Sequence, residues 1–283
     1  MSFWKRTLII TLSLLLLLPG AFAREEGTTL RIRAFKIGKA DAFLLRTDNA
    51  AVLIDGGEMD DGEEILDYLD EKGISKLDML IVSHFDKRSI GGLPEILGRV
   101  PADRVLVPDY IKDGNNARLL FAALEGLKVD KVAKVEEIEL DGMFFTLYPA
   151  RSDSYTEDDD NDFSLVVSLR HGEGSFLFPW DIMAQRIDEM LEDKQLTPHQ
   201  VLKMPCHGQN IDGIDKLLDA VQPAIAIIPA SDKNPPAGAL LSNLTNRDIR
   251  WYATMHGSVN LTSDNFNVTV RQNIKTPVED IVP

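Results

Sequence analysis

The chain has one cysteine, Cys206, among 283 residues. That excludes an internal disulfide, so a hydrophobic core must supply the stability. Positive charge is also in short supply. Thirty lysines and arginines face 45 aspartates and glutamates, a formal charge of −15. A surface of that sign repels a nucleic-acid backbone over long range, which argues against extended nucleic acid as a partner. It leaves room for a local anion site. No stretch rich in proline, glycine or serine marks a linker, and no short period repeats. The length suits one large domain or two small ones. After the first 23 residues no apolar run reaches the roughly 20 residues of a membrane span.

What is present begins with the compartment. MSFWKRTLIITLSLLLLLPGAFA has a basic start (Lys5, Arg6), an apolar run, a Pro19-Gly20 break and small residues at Ala21 and Ala23. This is the pattern of a secretory signal cleaved after Ala23. The alternative is an uncleaved anchor, for which the run from Thr7 to Leu18 is short. No cysteine lies at the junction to carry a lipid. The expectation is a secreted or periplasmic protein. The segment carries two basic and no acidic residues, so cleavage takes the formal charge to −17.

Strand and helix patterns then alternate. Residues 28–38 read as a strand with Leu30, Ile32 and Ala34 on one face, and a switch of face at Phe35 and Ile37. AFLLRT and AVLIDGG are two more short strands. EEILDYLDEKGI has helical spacing and stops at Gly73. LDMLIVSH is an unbroken apolar run, the mark of a strand covered on both sides. The second half repeats the scheme. Hairpins turn at Asp141-Gly142 and at Gly172-Glu173-Gly174. VLKMP and AIAIIPA read as buried strands between helices, and TEDDDND as a solvated loop. Antiparallel strands followed by strand-helix alternation, twice over, imply an α/β fold: one domain over 24–283, a four-layer αββα sandwich.

Three strand ends carry candidate chemistry. In IVSHFDKRSIGG, His84 and Asp86 put an imidazole and a carboxylate in one loop, donors that suit Zn²⁺ or Mn²⁺. A lone histidine there is more often structural. In FLFPWDIMA, Asp181 ends an apolar strand, where it can ligate a metal or cap the next helix. In VLKMPCHGQN, His207 follows Cys206, which reads most simply as a small buried residue. His171, His199 and His256 read as surface histidines. As a set, His84, Asp86, Asp181 and His207 supply two imidazoles and two carboxylates at strand ends that share a cleft. That is enough for one divalent ion.

The order of motifs resembles the metallo-β-lactamase-fold hydrolases, and within them the soluble hydrolase domain of the ComEC competence channel and its stand-alone relatives. The resemblance rests on Asp41-Ala42, on Ile54 through Gly57, on Gly91-Gly92 and on Asn161 through Val166. It extends through Asp181, Leu202-Lys203 and His207-Gly208, over nearly the whole mature chain. It implies the αββα sandwich and, ordinarily, two metals held after a buried strand by His-x-His-x-Asp-His. Here Asp86 stands at the second histidine of that motif, Arg88 at its aspartate and Ser89 at its last histidine. Trp180 replaces the glycine before Asp181, and Cys206 replaces one histidine of His-His-Gly.

A guanidinium in place of a carboxylate offers no lone pair and repels a second ion. A two-metal mechanism is therefore excluded on these residues. Two readings stay open. One is a non-catalytic or strongly altered descendant, its centre filled by an internal ion pair of Arg88, that binds a partner outside the cytoplasm. The other is a hydrolase with one Zn or Mn ion on His84, Asp86, Asp181 and His207. In that reading Asp86, Arg88 and Asp181 form the catalytic group, and Arg88 binds a small phosphodiester or other anionic ester.

Overall fold

The structure, a computed structural model, describes residues 27–110, 112–156 and 159–273. The expected signal segment and its junction at Ala23 lie outside the described residues. Fifteen strands form two sheets among them. The first half contributes β1 (Leu30–Ala34), β2 (Phe43–Arg46), β3 (Ala51–Ile54), β4 (Met79–Ile81), β5 (Val105–Pro108) and β6 (Val129–Val132). The second contributes β7 (Glu136–Leu140), β8 (Met143–Tyr148), β9 (Val166–His171), β10 (Gly174–Phe178), β11 (Val201–Lys203), β12 (Ile225–Ile228) and β13 (Arg250–Ala253). The chain then returns to the first sheet with β14 (Val259–Ser263) and β15 (Val268–Gln272). The orders are β15-β14-β1-β2-β3-β4-β5-β6 and β13-β12-β11-β10-β9-β8-β7. β3 to β6 run parallel, as do β10 to β13, and the hairpin strands pair antiparallel.

Eight α-helices complete the described chain: α1 (Gly62–Glu71), α2 (Lys87–Ile90), α3 (Leu93–Arg99), α4 (Asn115–Ala123), α5 (Asp159–Asp162), α6 (Ala184–Glu192), α7 (Ile214–Val221) and α8 (Gly238–Asn246). Three apolar clusters fill the space between layers. The central one joins the sheets through Ile32, Phe43, Ile54, Phe145, Phe176 and Trp180. The second lies between the first sheet and its helices, with Leu53, Ile65, Leu80 and Ile96. The third does the same for the second sheet, with Leu177, Ile187, Leu202 and Leu217. This is the αββα sandwich that the alternation implies.

The switch of face near the end of the first strand is real. Leu30, Ile32 and Ala34 point into the central cluster, while Phe35 and Ile37 pack under the helices. The strand itself ends at Ala34, short of the expected residue 38, because the chain must turn outward to present Phe35 and Ile37. Two histidines read as surface residues are buried. His171 bonds Ser263 through Nδ1 at 2.9 Å, and His199 bonds Ser168 through Nε2 at 2.7 Å. The aspartate-rich segment is not solvated throughout. Asp160 accepts from Tyr110 and Lys112, and Asp162 accepts from the Met183 amide at 2.6 Å. Each satisfies a donor that packing would otherwise strand.

Candidate active centre

The centre forms where β4, β10 and β11 end on one edge of the sandwich. After β4, Val82-Ser83-His84 leads through a short loop to α2, Gly91-Gly92 and α3. The double glycine is sterically required. A Cβ on Gly92 would meet the Gly56 carbonyl oxygen at 2.3 Å, and one on Gly91 the Glu58 backbone at 2.8 Å. The Asp55-Gly56-Gly57 turn packs directly on this loop, with Gly56 N donating to Ser89 O at 2.7 Å.

That turn also orients His84. Asp55 accepts from the Ser83 amide at 2.8 Å and from the Ser83 hydroxyl at 2.5 Å. Ser83 Oγ lies 2.8 Å from His84 Nδ1. Which of the two atoms donates depends on the His84 tautomer. His84 Nε2 is buried without a hydrogen-bond partner, 4.0 Å from Asp181 Oδ2. Burial pushes the Asp55 carboxyl well above its ordinary value, against the two Ser83 bonds that pull it down.

On the facing sheet, Lys203 at the end of β11 is fully buried. Its Nζ donates to Asp41 Oδ2 at 2.9 Å, to the Trp180 carbonyl at 3.0 Å and to Asp181 Oδ1 at 3.1 Å. Three acceptors match the three protons of an ammonium. Burial alone would favour the neutral amine, but Asp41 and Asp181 reverse that and raise the Lys203 pKa. Burial alone would likewise raise Asp181; Lys203, then His207, hold it well below the usual carboxylate range. The result is a dry carboxylate-ammonium-carboxylate triad.

His207 stands beside the triad. Its Nε2 is 3.0 Å from Asp181 Oδ2, a contact that helps hold the carboxylate's pKa down, and its Nδ1 is 4.0 Å from Asp41 Oδ2. Asp41, Asp181 and His207 each offer a ligand atom within 4.8 Å of the others. The backbone that presents them is strained. Trp180, Cys206 and His207 have φ of 59°, 47° and 53°, conformations that cost a non-glycine residue about 1–2 kcal/mol each. Cys206 Sγ points at the Asp181 carbonyl, 3.2 Å away.

Of the four residues expected to meet, three do: His84, Asp181 and His207. Asp86 does not join them. Its Oδ1 accepts from the Arg88 amide at 2.9 Å and from Arg88 Nε at 2.8 Å, so it caps α2. The capping role weighed for Asp181 belongs to Asp86: the residue that caps α6 is Met183, and Asp181 turns inward instead. Arg88 lowers the Asp86 pKa against the upward push of burial. Sequence reasoning assigned no role to Asp41 or Lys203, although both lie in motifs it singled out. A lysine ending an apolar strand ordinarily places its head in water.

With this geometry in place, comparison with known proteins decides the family. Residues 37–230 match the model of the metallo-beta-lactamase superfamily. The chain belongs to the metallo-β-lactamase superfamily. It is related to ComE operon protein 3 of Bacillus subtilis (strain 168), 28% identical over 196 residues. That match takes in 67% of this chain but 25% of the relative, so the chain spans about a quarter of that protein's length. Among solved structures, the metallo-β-lactamase-fold protein YhfI of Bacillus subtilis superimposes with a TM-score of 0.54 at 12% identity, over 80% of this chain and 96% of that one. The CmlA β-hydroxylase E377D mutant gives 0.56 at 15% identity, over 83% and 53%. At such identities these two likenesses concern the fold alone. Members of this superfamily usually bind metal ions, and the Asp41-Asp181-His207 group is a possible holder here.

Proposed function

We propose that this chain is an exported, ComEC-like member of the superfamily whose centre is closed by its own cations. In this reading it works outside the cytoplasm as a binding module rather than as a two-metal hydrolase. One observation carries the proposal: three carboxylates around the centre already hold a lysine or arginine. Asp86 has Arg88, and Asp41 and Asp181 share Lys203. The residues do not fit two ions. Arg88 and Ser89 stand where the resemblance places ligands, and Arg88 brings positive charge instead of a lone pair. The candidate ligands are a small anion or an extracytoplasmic protein. The sign of the protein's charge, −15 over the whole chain, opposes extended nucleic acid.

Elemental analysis tests this reading. Protein purified without chelator and reloaded with zinc or manganese should hold less than about a tenth of an equivalent per chain. One equivalent or more would overturn the metal-free reading.

A second reading, a one-ion hydrolase, is favoured by the ring nitrogens that face Asp181 and Asp41. His84 Nε2 and both ring nitrogens of His207 are buried without a hydrogen-bond partner. In this reading His84, Asp181 and His207 would hold the ion, Asp41 would lie within reach, and Arg88 would orient an anionic ester. A zinc ion with an open position lowers the pKa of bound water to about 7. Hydrolysis of a generic phosphodiester that disappears in His84→Ala and in Asp181→Ala would establish it.

A further inference from the structure

The edge that carries the centre also holds a cavity of about 420 Å³, where β5, β6 and β8 end. β5 runs parallel to β4, and β8 runs parallel to β10 through the antiparallel β9, so the cavity lies on the same edge as His84 and Asp181. Its volume falls in the range of roughly 300–1,000 Å³ typical of small-ligand pockets. Pro108, Tyr110, Val132, Pro149 and Phe163 line it. Val132 belongs to the central apolar cluster, so the cavity reaches the layer between the sheets.

The aromatic wall is fixed before any ligand arrives. Tyr110 stacks on Phe163 with ring centroids 4.8 Å apart, and Tyr155 meets Phe163 edge-on at 5.2 Å. The Tyr110 hydroxyl accepts from the Phe85 amide at 2.9 Å and donates to Asp160. A ring held at both ends loses little freedom on binding. The exposed residues Asp109, Arg151 and Asp153 put charge at the mouth. Arg151 is already paired, donating to Asp193 at 2.5 Å and to Glu192 at 3.0 Å. Asp109 meets Lys131 at 3.3 Å. The Asp153 carboxylate has no ion pair or hydrogen bond among the described residues. An anion would therefore compete with carboxylates for each cation, whereas a cation finds a carboxylate waiting.

We propose that this cavity binds an organic cation, a guanidinium or ammonium head on an apolar stem. The stem lies against Tyr110, Phe163 and Val132, and the head stays at the mouth beside Asp153 and Asp109. Aromatic rings attract a cation, and such a stem buries its methylenes while its head remains near water. The negative charge of the chain draws a ligand of this sign toward the site. The cavity is distinct from the converging Asp41, Asp181 and His207, so the proposal is independent of whether the centre holds a metal.

A free amine and a basic side chain of a partner protein carry the same chemistry, and two probes separate them. The full mature chain, isotope-labelled and followed by NMR at low salt, is titrated with butylguanidinium and with N-acetyl-arginine amide. The signals of Tyr110, Ala150 and Phe163 should move saturably with at least one probe below about 20 mM. N-acetyl-citrulline amide has the shape of the arginine probe without its charge, and should bind at least about fivefold more weakly. Asp153→Asn, at an exposed position, should weaken the cation by about two- to fivefold, and Phe163→Leu by about the same factor. Tighter binding of the arginine probe marks a partner's side chain as the source, and tighter binding of butylguanidinium marks a free cation; either supports the proposal. No saturable shift with either probe overturns it, as do shifts confined to the loops of His84 and His207. Equal binding of the citrulline probe, or an Asp153→Asn that binds as wild type does, overturns it as well. Should Phe163→Leu fail to fold, the citrulline comparison and Asp153→Asn still decide.

Discussion

Two ion pairs flank the same cleft, and they differ in almost every physical respect. On the first sheet, Arg88 and Asp86 are neighbours in sequence, and each side chain is about a quarter exposed. On the second, Lys203 joins Asp41 and Asp181 across the inter-sheet layer, and all three are essentially dry. The first pair gains little from Coulomb attraction, because water screens it. The second has given up its hydration and depends on each partner remaining in place. The same charges can thus be an incidental cap in one loop and a structural necessity on the facing sheet.

The largest break should come from the dry side. Lys203→Ala leaves two uncompensated buried carboxylates and should cost about 3–5 kcal/mol without added metal. Urea unfolding would measure it. A loss below about 1 kcal/mol would mean that water reaches the triad.

Trp180→Gly should cost somewhat less, because two effects oppose each other. Glycine relieves the backbone at φ 59°, worth about 1–2 kcal/mol. Removing a fully buried indole from its packing against Phe43 and Phe178 costs about 3–5 kcal/mol. A net loss of about 1–4 kcal/mol is expected by thermal or chemical unfolding. A stabilised variant would show that strain dominates at this position.

The acid limb sharpens the comparison. Asp181 is held well below its usual range, so the unfolded chain takes up the proton first. Its contribution is present above the unfolded value near pH 4 and is lost as pH falls toward the folded value. Asp86 is depressed too, but about a quarter exposed, and so contributes less. Stability measured from pH 6 down to pH 2 should therefore fall less steeply in Asp181→Asn than in wild type. Asp86→Asn should leave the slope nearly unchanged, and equal slopes for the two variants would contradict the picture.

The smallest effect belongs to Arg88→Ala. A partly exposed pair contributes about 0–1 kcal/mol, so unfolding should shift by no more than that. A larger loss would mean that Arg88 also supports the centre through Asp181.

Much of the fold was legible. Apolar alternation set the strands, unbroken apolar runs marked the doubly covered β4 and β11, and Gly73 marked the end of α1. The histidines at strand ends pointed to His84 and His207. Where the sequence misled, the cause was tertiary. His171 and His199 stand among polar neighbours in sequence, yet Ser263 and Ser168 provide buried partners that periodicity does not show. Asp86, expected in the centre, caps α2 instead, while Asp181 stays among the converging residues as expected; the direction of the following backbone, rather than residue type, decides which carboxylate meets a helix start.

The sequence by itself determined the layers, because strand and helix periodicity is a local property of neighbouring side chains. It also determined which residues crowd the cleft, since Arg88, Ser89, Trp180 and Cys206 can be read against a motif. Only the tertiary structure decided where the charges go. Asp41 and Lys203 are 162 residues apart, and no local pattern ties them. They meet because two sheets stack with β11 ending opposite the loop after Ile37, and because a buried ammonium must find carboxylates to remain charged.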